Sequence, residues 1–417
     1  MARWQRTLLI MFVAQLISAM GFSIIFPFLP LYVQQLGTRT GLSVEFWAGM
    51  VFSSQAITMM LASPVWGALA DRYGRKLMVE RAMFGGAIVL MAMGFARSAE
   101  ELALLRALQG LITGTVSAVN ALEAASAPRN RTGYAMGMIQ VGLWSGVAVG
   151  PLMGGWLADV YGFRTAFMVT GTLLALAGVL VWRWVDEPPA LASPEVARMG
   201  FLRAWRRVLQ AAGVMPTYAL RFLTWLARNL LLPVAPLFVQ SLLPSGAPVS
   251  TVTGLVVGLS SAASTASAVS LGRLGDRIGH RRILVTCAFL AALFYFPQSL
   301  VHSPWQFLAL QALTGAAAGG ITPSLSALLA HYTRPGEEGV VYGLDNSVVS
   351  AARAVAPMLG AGVAVWFGLR GTFVVAGLLF LVVAAVGAWL LPESLGALQA
   401  AVLEEPPAVA HSSQAEK

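Results

Sequence analysis

The chain has 417 residues, of which 57% are hydrophobic and only 11% are charged, and its mean hydropathy is +0.73. This composition excludes an ordinary soluble domain and predicts a membrane protein with many spans. The net charge of +9 does not indicate nucleic-acid binding, because the basic residues alternate with the apolar stretches instead of forming one basic segment.

Apolar stretches of about 20 residues, long enough to cross a bilayer as helices, follow one another along the chain. Twelve spans are predicted, at 7–33, 46–70, 76–95, 101–122, 133–158, 164–184, 214–240, 250–272, 283–301, 304–330, 340–366 and 370–391. The first has no small-residue cleavage pattern at its end, so it is predicted to be retained as span 1 and not removed as a signal peptide. The fold class is therefore an all-α membrane protein with 12 transmembrane helices.

The basic residues predict the orientation of these spans. If the N-terminus lies inside, nineteen of the 27 Lys and Arg residues fall in cytoplasmic segments. The outer loops hold four, namely Arg39, Arg97, Arg164 and Arg370, and the other four lie within spans, namely Arg106, Arg221, Arg228 and Arg353. This positive-inside bias predicts that both termini are cytoplasmic. The expected location is the inner (cytoplasmic) membrane of the cell.

The first half of the chain is repeated in the second half. Asp71, in GALADRYGRK, matches Asp276, in GRLGDRIGHRR, at an offset of 205, and PFLPLYVQ in span 1 matches PVAPLFVQ in span 7 at an offset of 206. Residues 1–184 and 214–392 are therefore predicted to be two pseudo-symmetric six-helix bundles. The linker at 185–213 is predicted to be cytoplasmic, with a short amphipathic helix around 201–210, and the tail at 393–417 to be disordered.

Two short patterns carry most of the motif information. The loop between spans 2 and 3 combines charges with glycines, which allow tight turns, and its residues are Gly67, Asp71, Arg72, Gly74, Arg75 and Lys76. A weaker copy after span 8 contains Gly272, Asp276 and Arg277. The positive-inside rule explains the basic residues of this motif, but not its aspartate, its glycines or its repetition.

The second pattern is a strip of small residues in span 5, made of Gly142, Gly146, Gly150, Pro151, Gly154 and Gly155. Glycines at four-residue spacing form a smooth helix face that permits close packing. The small-residue stretch SSAASTASA, at 260–268 in span 8, is expected to supply the matching surface.

These patterns resemble the major facilitator superfamily of transporters. GALADRYGRK resembles the loop motif of that superfamily, LLRALQGLITG at 104–114 resembles the span-4 motif of its proton-coupled members, and GLWSGVAVGPLMGG at 142–155 resembles the span-5 motif of the 12-span drug:proton antiporters. PFLPLYVQQLG, SPVWGALADRYGRK and APRNRTGYAMG resemble one group of bacterial multidrug exporters. The resemblance covers almost the whole chain and implies the major facilitator fold, in which two six-span halves rock about a central site.

The resemblance implies a secondary active transporter. We expect a proton-coupled antiporter that exports drugs or other small amphipathic compounds by alternating access. Metabolite or sugar efflux, or uptake by a symporter of the same fold, is the alternative. Its partners would be the small-molecule substrate, protons and the lipid bilayer, with no cofactor besides the proton gradient, no metal and no nucleic acid. The protein is expected to be a monomer. An enzyme is not expected, because the sequence shows no metal-ligand cluster, nucleophile constellation or nucleotide-binding loop.

The resemblance also gives roles to the motifs. It implies that Asp71 meets the N-terminal end of span 11, where a helix dipole favours a carboxylate, so that the loop motif acts as a gating latch between the halves. It further implies that spans 5 and 8 meet at the interface between the halves.

Five charged residues are candidates for proton coupling or substrate binding: Arg106, Glu123, Asp345, Arg228 and Arg353. A charge within a span is costly, so it should face a cavity or a partner. By resemblance Arg106 lowers the pKa of a nearby carboxylate and so assists proton release; alternatively it donates hydrogen bonds to backbone carbonyls. Glu123 is either a partner of the latch arginines or a proton carrier, and Asp345 is the other carrier candidate.

Arg228 and Arg353 stand near the middle of spans 7 and 11, where the equivalent first-half positions are uncharged. The fold therefore does not require them. They are predicted to face the central cavity and attract anionic substrates, or alternatively to be satisfied by hydroxyls, carbonyls or Asp345.

Overall fold

The computed structural model describes residues 3–113, 122, 132–185, 213–332 and 338–391, and every regular element in these ranges is an α-helix. The helices are α1 (Arg3–Ser23), α2 (Leu29–Leu36), α3 (Val44–Tyr73), α4 (Arg75–Met93), α5 (Ala99–Ile112), α6 (Thr132–Tyr161), α7 (Phe163–Trp184), α8 (Val214–Asn229), α9 (Ala235–Leu242), α10 (Val249–Ile278), α11 (His280–Gln298), α12 (Pro304–Ala318), α13 (Ile321–Tyr332) and α14 (Glu338–Leu390). Within the described ranges, six helical segments are long and apolar enough to cross a membrane. The number of twelve spans stays a prediction.

Spans 1, 7 and 10 are interrupted, although each is predicted to be continuous. Span 1 divides into α1 and α2, and span 7 divides at the equivalent place into α8 and α9. Pro30 and Pro236 are the second residues of α2 and α9, in the first helical turn, where a residue without a backbone N–H is tolerated. Span 10 divides into α12 and α13 at a pair of glycines, Gly319 and Gly320.

Four glycines at repeat-equivalent positions make the tight turns between long helices. Gly74 and Gly279 have φ of 98° and 99° and connect α3 to α4 and α10 to α11. Gly162 and Gly368 have φ of 83° and 73°; Gly162 connects α6 to α7, and Gly368 lies at a kink that divides α14 into two helices. Positive φ is accessible to glycine at little cost, so these positions explain why the same turns recur in both halves.

The buried apolar residues form separate clusters for the two halves. One extends from Leu8 to Val185 and a second from Leu220 to Leu391. The halves meet mainly along two pairs of helices, α3 with α14 and α6 with α10. We call the end of the bundle at which α1 begins the inner end, and the opposite end, which holds the α6–α7 turn, the outer end.

Candidate functional site

Two equivalent contacts hold the halves together in the outer part of the bundle. In α3, a Cβ atom at Gly49 would lie 2.8 Å from the backbone oxygen of Pro357 in α14. In α10, a Cβ atom at Gly254 would collide with the backbone oxygen of Pro151 in α6. Both pairs follow the repeat, so the same glycine-on-proline contact occurs on each side of the pseudo-twofold axis. The backbones approach this closely because glycine has no side chain.

A carboxylate from one half caps a helix of the other half at the outer end. Asp159, near the end of α6, accepts hydrogen bonds from the backbone N–H groups of Ser250 and Thr251, at 3.2 and 2.6 Å. Both donors lie in the first turn of α10, where the N-cap residue Pro248 offers no side-chain cap. Asp159 therefore supplies the missing cap and places a negative charge at the positive end of the helix dipole.

The four strip glycines at four-residue spacing pack on a different helix from the one expected. Cβ atoms added at Gly142, Gly146 and Gly150 would meet α1, and one at Gly154 would meet the backbone of Ile24, the first residue after α1. The small-residue stretch 260–268 of α10 packs on α12 through Gly315. The predicted match between these two surfaces is therefore wrong, because a glycine period defines a smooth face but not the helix that occupies it.

Spans 5 and 8 nevertheless meet, as the family resemblance implies. The contact involves the remaining strip residues, Pro151 and Gly155: a Cβ atom at Gly155 would collide with the backbone oxygen of Ser250, and close by one at Gly258 would lie 2.8 Å from the side chain of Leu152. Gly155 follows Gly154 by one residue, so it points about 100° away from the face formed by the four regularly spaced glycines and faces the other half.

Arg106 is fully buried and satisfied by neutral groups. Its Nε donates to the backbone oxygen of Val51 at 3.2 Å, and its two terminal nitrogens donate to the side-chain oxygens of Gln109 and Gln55 at 2.6 and 2.9 Å. In the part of the chain that the structure describes, no carboxylate forms an ion pair with Arg106. These contacts favour the hydrogen-bond donor role, in which Arg106 fastens α5 to α3.

Asp345 pairs with an arginine that was not among the candidate site residues. Its Oδ2 lies 2.8 Å from Nη2 of Arg221, and both side chains are nearly buried. Arg221 also donates to the backbone oxygen of Thr322 at 3.2 Å and to the hydroxyl of Ser326 at 3.3 Å. The other carboxylate oxygen, Oδ1, is buried and has no hydrogen-bond partner among the described residues. One carboxylate oxygen of Asp345 is thus bound by Arg221, and the other has no hydrogen-bond partner among the described residues.

Arg228 and Arg353 form a positive pair between α8 and α14. The guanidinium carbon of Arg353 lies 4.5 Å from the ring centre of Trp225, a cation–π distance. Arg228 belongs to the last turn of α8 and is close enough to interact electrostatically with Arg353 and with Tyr295. Neither arginine forms an ion pair within the described ranges. Both side chains are partly exposed.

The loop motif is only partly described. The backbone of α3 is helical through Gly67, Asp71 and Arg72, but their side chains lie outside the described residues, as does all of Glu123. The latch from Asp71 to span 11 therefore stays a prediction. Gly74 makes the turn between α3 and α4, and Arg75 begins α4.

Lys76 and the second copy of the motif have partners within their own halves. Lys76 donates to the backbone oxygen of Trp182 at 2.9 Å, near the end of α7. Asp276, with 72% of its side chain exposed, lies 3.2 Å from His280 across the α10–α11 turn. Gly272 and Arg277 lie in the same last turns of α10, where Arg277 is exposed.

Three features of the site were not predicted: the Arg221–Asp345 pair, the Asp159 cap and the reciprocal glycine–proline contacts. The first of these had a signal in the sequence. Arg221 is a charge within a span and needs a partner, and Asp345 is the acidic candidate within a second-half span.

Comparisons with known proteins agree along nearly the whole chain. A family model described as Major Facilitator Superfamily matches residues 11–243 and 217–415. The chain is 35% identical over 382 residues to "Multidrug resistance protein MdtG" of Enterobacter lignolyticus (strain SCF1), which covers 91% of this chain and 90% of the relative. It is 35% identical over 392 residues to the protein of that name in Serratia proteamaculans (strain 568), with 93% and 94% covered.

Solved structures show the same architecture. A bacterial homolog of the human lysosomal transporter Spinster, crystallised in an inward-facing and unoccupied conformation, matches with a TM-score of 0.79 at 15% identity, covering 93% of this chain and 96% of that one. A D-xylose-proton symporter matches with a TM-score of 0.76 at 14% identity, covering 93% and 98%. At these identities the two structures establish the fold alone.

Proposed function

Because the chain belongs to the major facilitator superfamily, we propose that it exports several kinds of drug across the cell membrane, driven by proton entry, through alternating access. Membership confirms the predicted fold and makes the protein a transporter and not an enzyme. The relatives named as multidrug resistance proteins support the export of drugs.

The reciprocal glycine–proline contacts are the observation that best supports the proposal of alternating access. They join the halves toward the outer end, with Gly49 on Pro357 and Gly254 on Pro151. The inner part of α10 contrasts with this, since no residue from Leu259 to Leu274 is buried. A pair of rigid bundles that touch through two repeat-related pairs of helices can separate there and close at the opposite end without repacking either core.

Arg228 and Arg353 support a preference for anionic amphipathic substrates. The two guanidinium groups provide unneutralised positive charge, and Trp225 provides an aromatic surface for an apolar portion. Arginine binds carboxylate or phosphate oxygens through paired N–H donors. The helix break after Asn229 lies next to this pair, and interrupted helices near the middle of the membrane are characteristic of transporter binding sites.

Asp345 is the proposed proton carrier. Its ion pair with Arg221 links α14 to α8, so proton uptake by the carboxylate would weaken a contact between helices of the second half. A ligand or proton shifts a conformational equilibrium only if it interacts differently with the two states, so the proposal requires the Arg221–Asp345 pair to form in only one of them.

Transport into proteoliposomes under an imposed pH gradient tests the proposal. We expect accumulation of lipophilic cations or anionic antibiotics to follow the gradient, and Asp345→Asn to abolish that dependence. Arg228→Gln and Arg353→Gln should reduce transport of the anions more than that of the cations, whereas Arg273→Gln, at an exposed inner position, should change neither. Accumulation that ignores the gradient would rule out proton coupling, and equal losses for both substrate classes would rule out the anion preference.

The proposed orientation places the inner end in the cytoplasm. Nineteen of the 27 basic residues lie in the predicted inner segments, against four in the outer loops. Single cysteines introduced at Ser245 and Arg273 would report it through labelling of intact cells with a membrane-impermeant maleimide. Only the cysteine at position 245 should react. Labelling only at position 273 would show that the orientation is the opposite of the one proposed.

A further inference from the structure

A pocket of about 710 Å³ opens at the outer end of the first half. It lies between α2, the α4–α5 connection and the α6–α7 turn, and its lining includes Arg97, Arg164, Tyr161, Gln35 and Thr165. Both arginines are exposed. They are two of the four basic residues that the predicted topology places outside, so this pocket holds half of the positive charge of the outer surface.

The repeat shows that Arg164 has lost the structural role of its counterpart. In the second half, Arg370 donates to the backbone oxygens of Ser299 and Val301 at 2.6 and 2.9 Å. In the first half, the hydroxyl of Tyr32 donates to the equivalent carbonyl of Met93 at 3.1 Å.

Tyr32 stands where the second half has Phe238, which has no hydroxyl. Because the tyrosine satisfies the carbonyl, Arg164 is not needed there and interacts with the Tyr32 hydroxyl from the pocket side. A guanidinium has five N–H donors, and among the described residues Arg164 has no hydrogen-bond partner besides Tyr32, so most of its donors are available to a ligand.

One acidic residue stands beside the pocket and offsets part of its positive charge. Glu101 accepts a hydrogen bond from the backbone N–H of Arg97 at 3.0 Å, but it is not among the residues that line the cavity. Two guanidinium groups therefore face the cavity with one carboxylate at its margin.

Exposed aromatic residues place the pocket at the depth of lipid head groups. Trp156 and Tyr161 pack edge to face with ring centres 5.6 Å apart, and both are about half exposed. Phe95, in the α4–α5 connection, is 63% exposed. Tryptophan and tyrosine concentrate where the bilayer meets water, so the mouth of the pocket is expected at that level.

We propose that this pocket binds a phosphate ester, held between Arg97 and Arg164, and that its source is an anionic phospholipid. Arginine pairs match phosphate oxygens in charge and geometry, and the volume lies within the range of about 300–1,000 Å³ typical of small-molecule sites. The site is distinct from the Arg228–Arg353 pair and does not depend on the transport mechanism.

Native mass spectrometry of the full-length protein with phosphatidylglycerol or phosphatidylcholine tests this site. The wild-type protein should retain phosphatidylglycerol in preference to phosphatidylcholine. The double variant Arg97→Gln/Arg164→Gln should lower that preference by about tenfold or more, since each charge-assisted contact contributes about this factor. Arg39→Gln, at an outer arginine outside the pocket, is the matched control and should behave as wild type. Each single variant should show part of the loss, which keeps the test valid if the double variant aggregates.

A second titration, with glycerol 3-phosphate and protein in neutral lipid, separates the two sources of the phosphate. If glycerol 3-phosphate binds through the two arginines at concentrations too low to displace lipid, the ligand of the pocket is a soluble ester. That result would contradict the proposal that a phospholipid supplies the phosphate. Absence of a phosphatidylglycerol preference in the wild type, or its full retention in the double variant, would overturn the site itself.

Discussion

The Asp159 cap provides a measurable test of how the outer end closes. Its carboxylate joins α6 of one half to the first turn of α10 of the other, through bonds of 3.2 and 2.6 Å. Asp159→Ala removes both the hydrogen-bond acceptor and the charge. Loss of an N-cap costs about 0.5–2 kcal/mol, and loss of an exposed charge at a helix N-terminus costs about 0.3–1 kcal/mol.

These two contributions predict a graded series. With a total near 1–2 kcal/mol, Asp159→Ala should shift the ratio of outer-closed to outer-open molecules by about 5- to 30-fold. Asp159→Asn keeps an acceptor and loses only the charge, so its shift should be about two- to fivefold. The fraction of outer-open molecules should therefore increase from the wild type to Asp159→Asn and again to Asp159→Ala.

Distances between spin labels at the outer end measure this ratio. Labels at Val160 and Ser245, both exposed and in different halves, report opening by double electron–electron resonance. Cys287, the single cysteine of the chain, is replaced by serine in this background. Glu45→Gln is the control, because it removes an acidic charge at the same end that makes no hydrogen bond or ion pair among the described residues. Unchanged distances in Asp159→Ala, or an equal shift in the control, would refute the role of the cap.

Three further predictions concern packing and buried charge. Gly254→Ala puts a methyl group against a proline carbonyl of the other half and should favour the outer-open state in the same distance measurement, whereas Gly362→Ala, which meets open space, should not. Arg106→Ala should lower the unfolding temperature in detergent, since about 1–2 kcal/mol is lost for each interhelical hydrogen bond; an unchanged temperature would contradict its fastening role. Arg221→Gln should cost about 3–5 kcal/mol by leaving a buried charge unpaired. Adding Asp345→Asn should recover part of that loss in a double-mutant cycle, and strictly additive losses would exclude the coupling.

The fold was predictable because duplication and hydropathy can both be recognised by inspecting the sequence alone. Offsets of 205–206 between Asp71 and Asp276, or between Pro151 and Pro357, require no knowledge of packing. The interruptions at 24–28 and 230–234 were missed because their residues are as apolar as the helices around them. Hydropathy measures transfer to a membrane and does not register a change of backbone direction.

The partners within the site were less predictable, for a physical reason. Arg221 and Asp345 are 124 residues apart, and only the packing of α8 on α14 brings them together. The charge of Arg221 indicated that a partner was needed, but several hydroxyls and carbonyls competed for that role. Likewise the spacing of Gly142 and Gly146 predicted a smooth helix face, while the identity of the facing helix depended on the path of the whole chain.

The outer closure combines two symmetric contacts with one that has no counterpart. The position equivalent to Asp159 in the second half is Val365, which cannot cap a helix. Among the described residues, the boundary between α6 and α10 therefore carries a capping contact with no equivalent between α3 and α14. We expect the two boundaries to separate in sequence and not together, with the α3–α14 side first, so that a departing molecule would leave through a lateral, one-sided aperture instead of along the central axis.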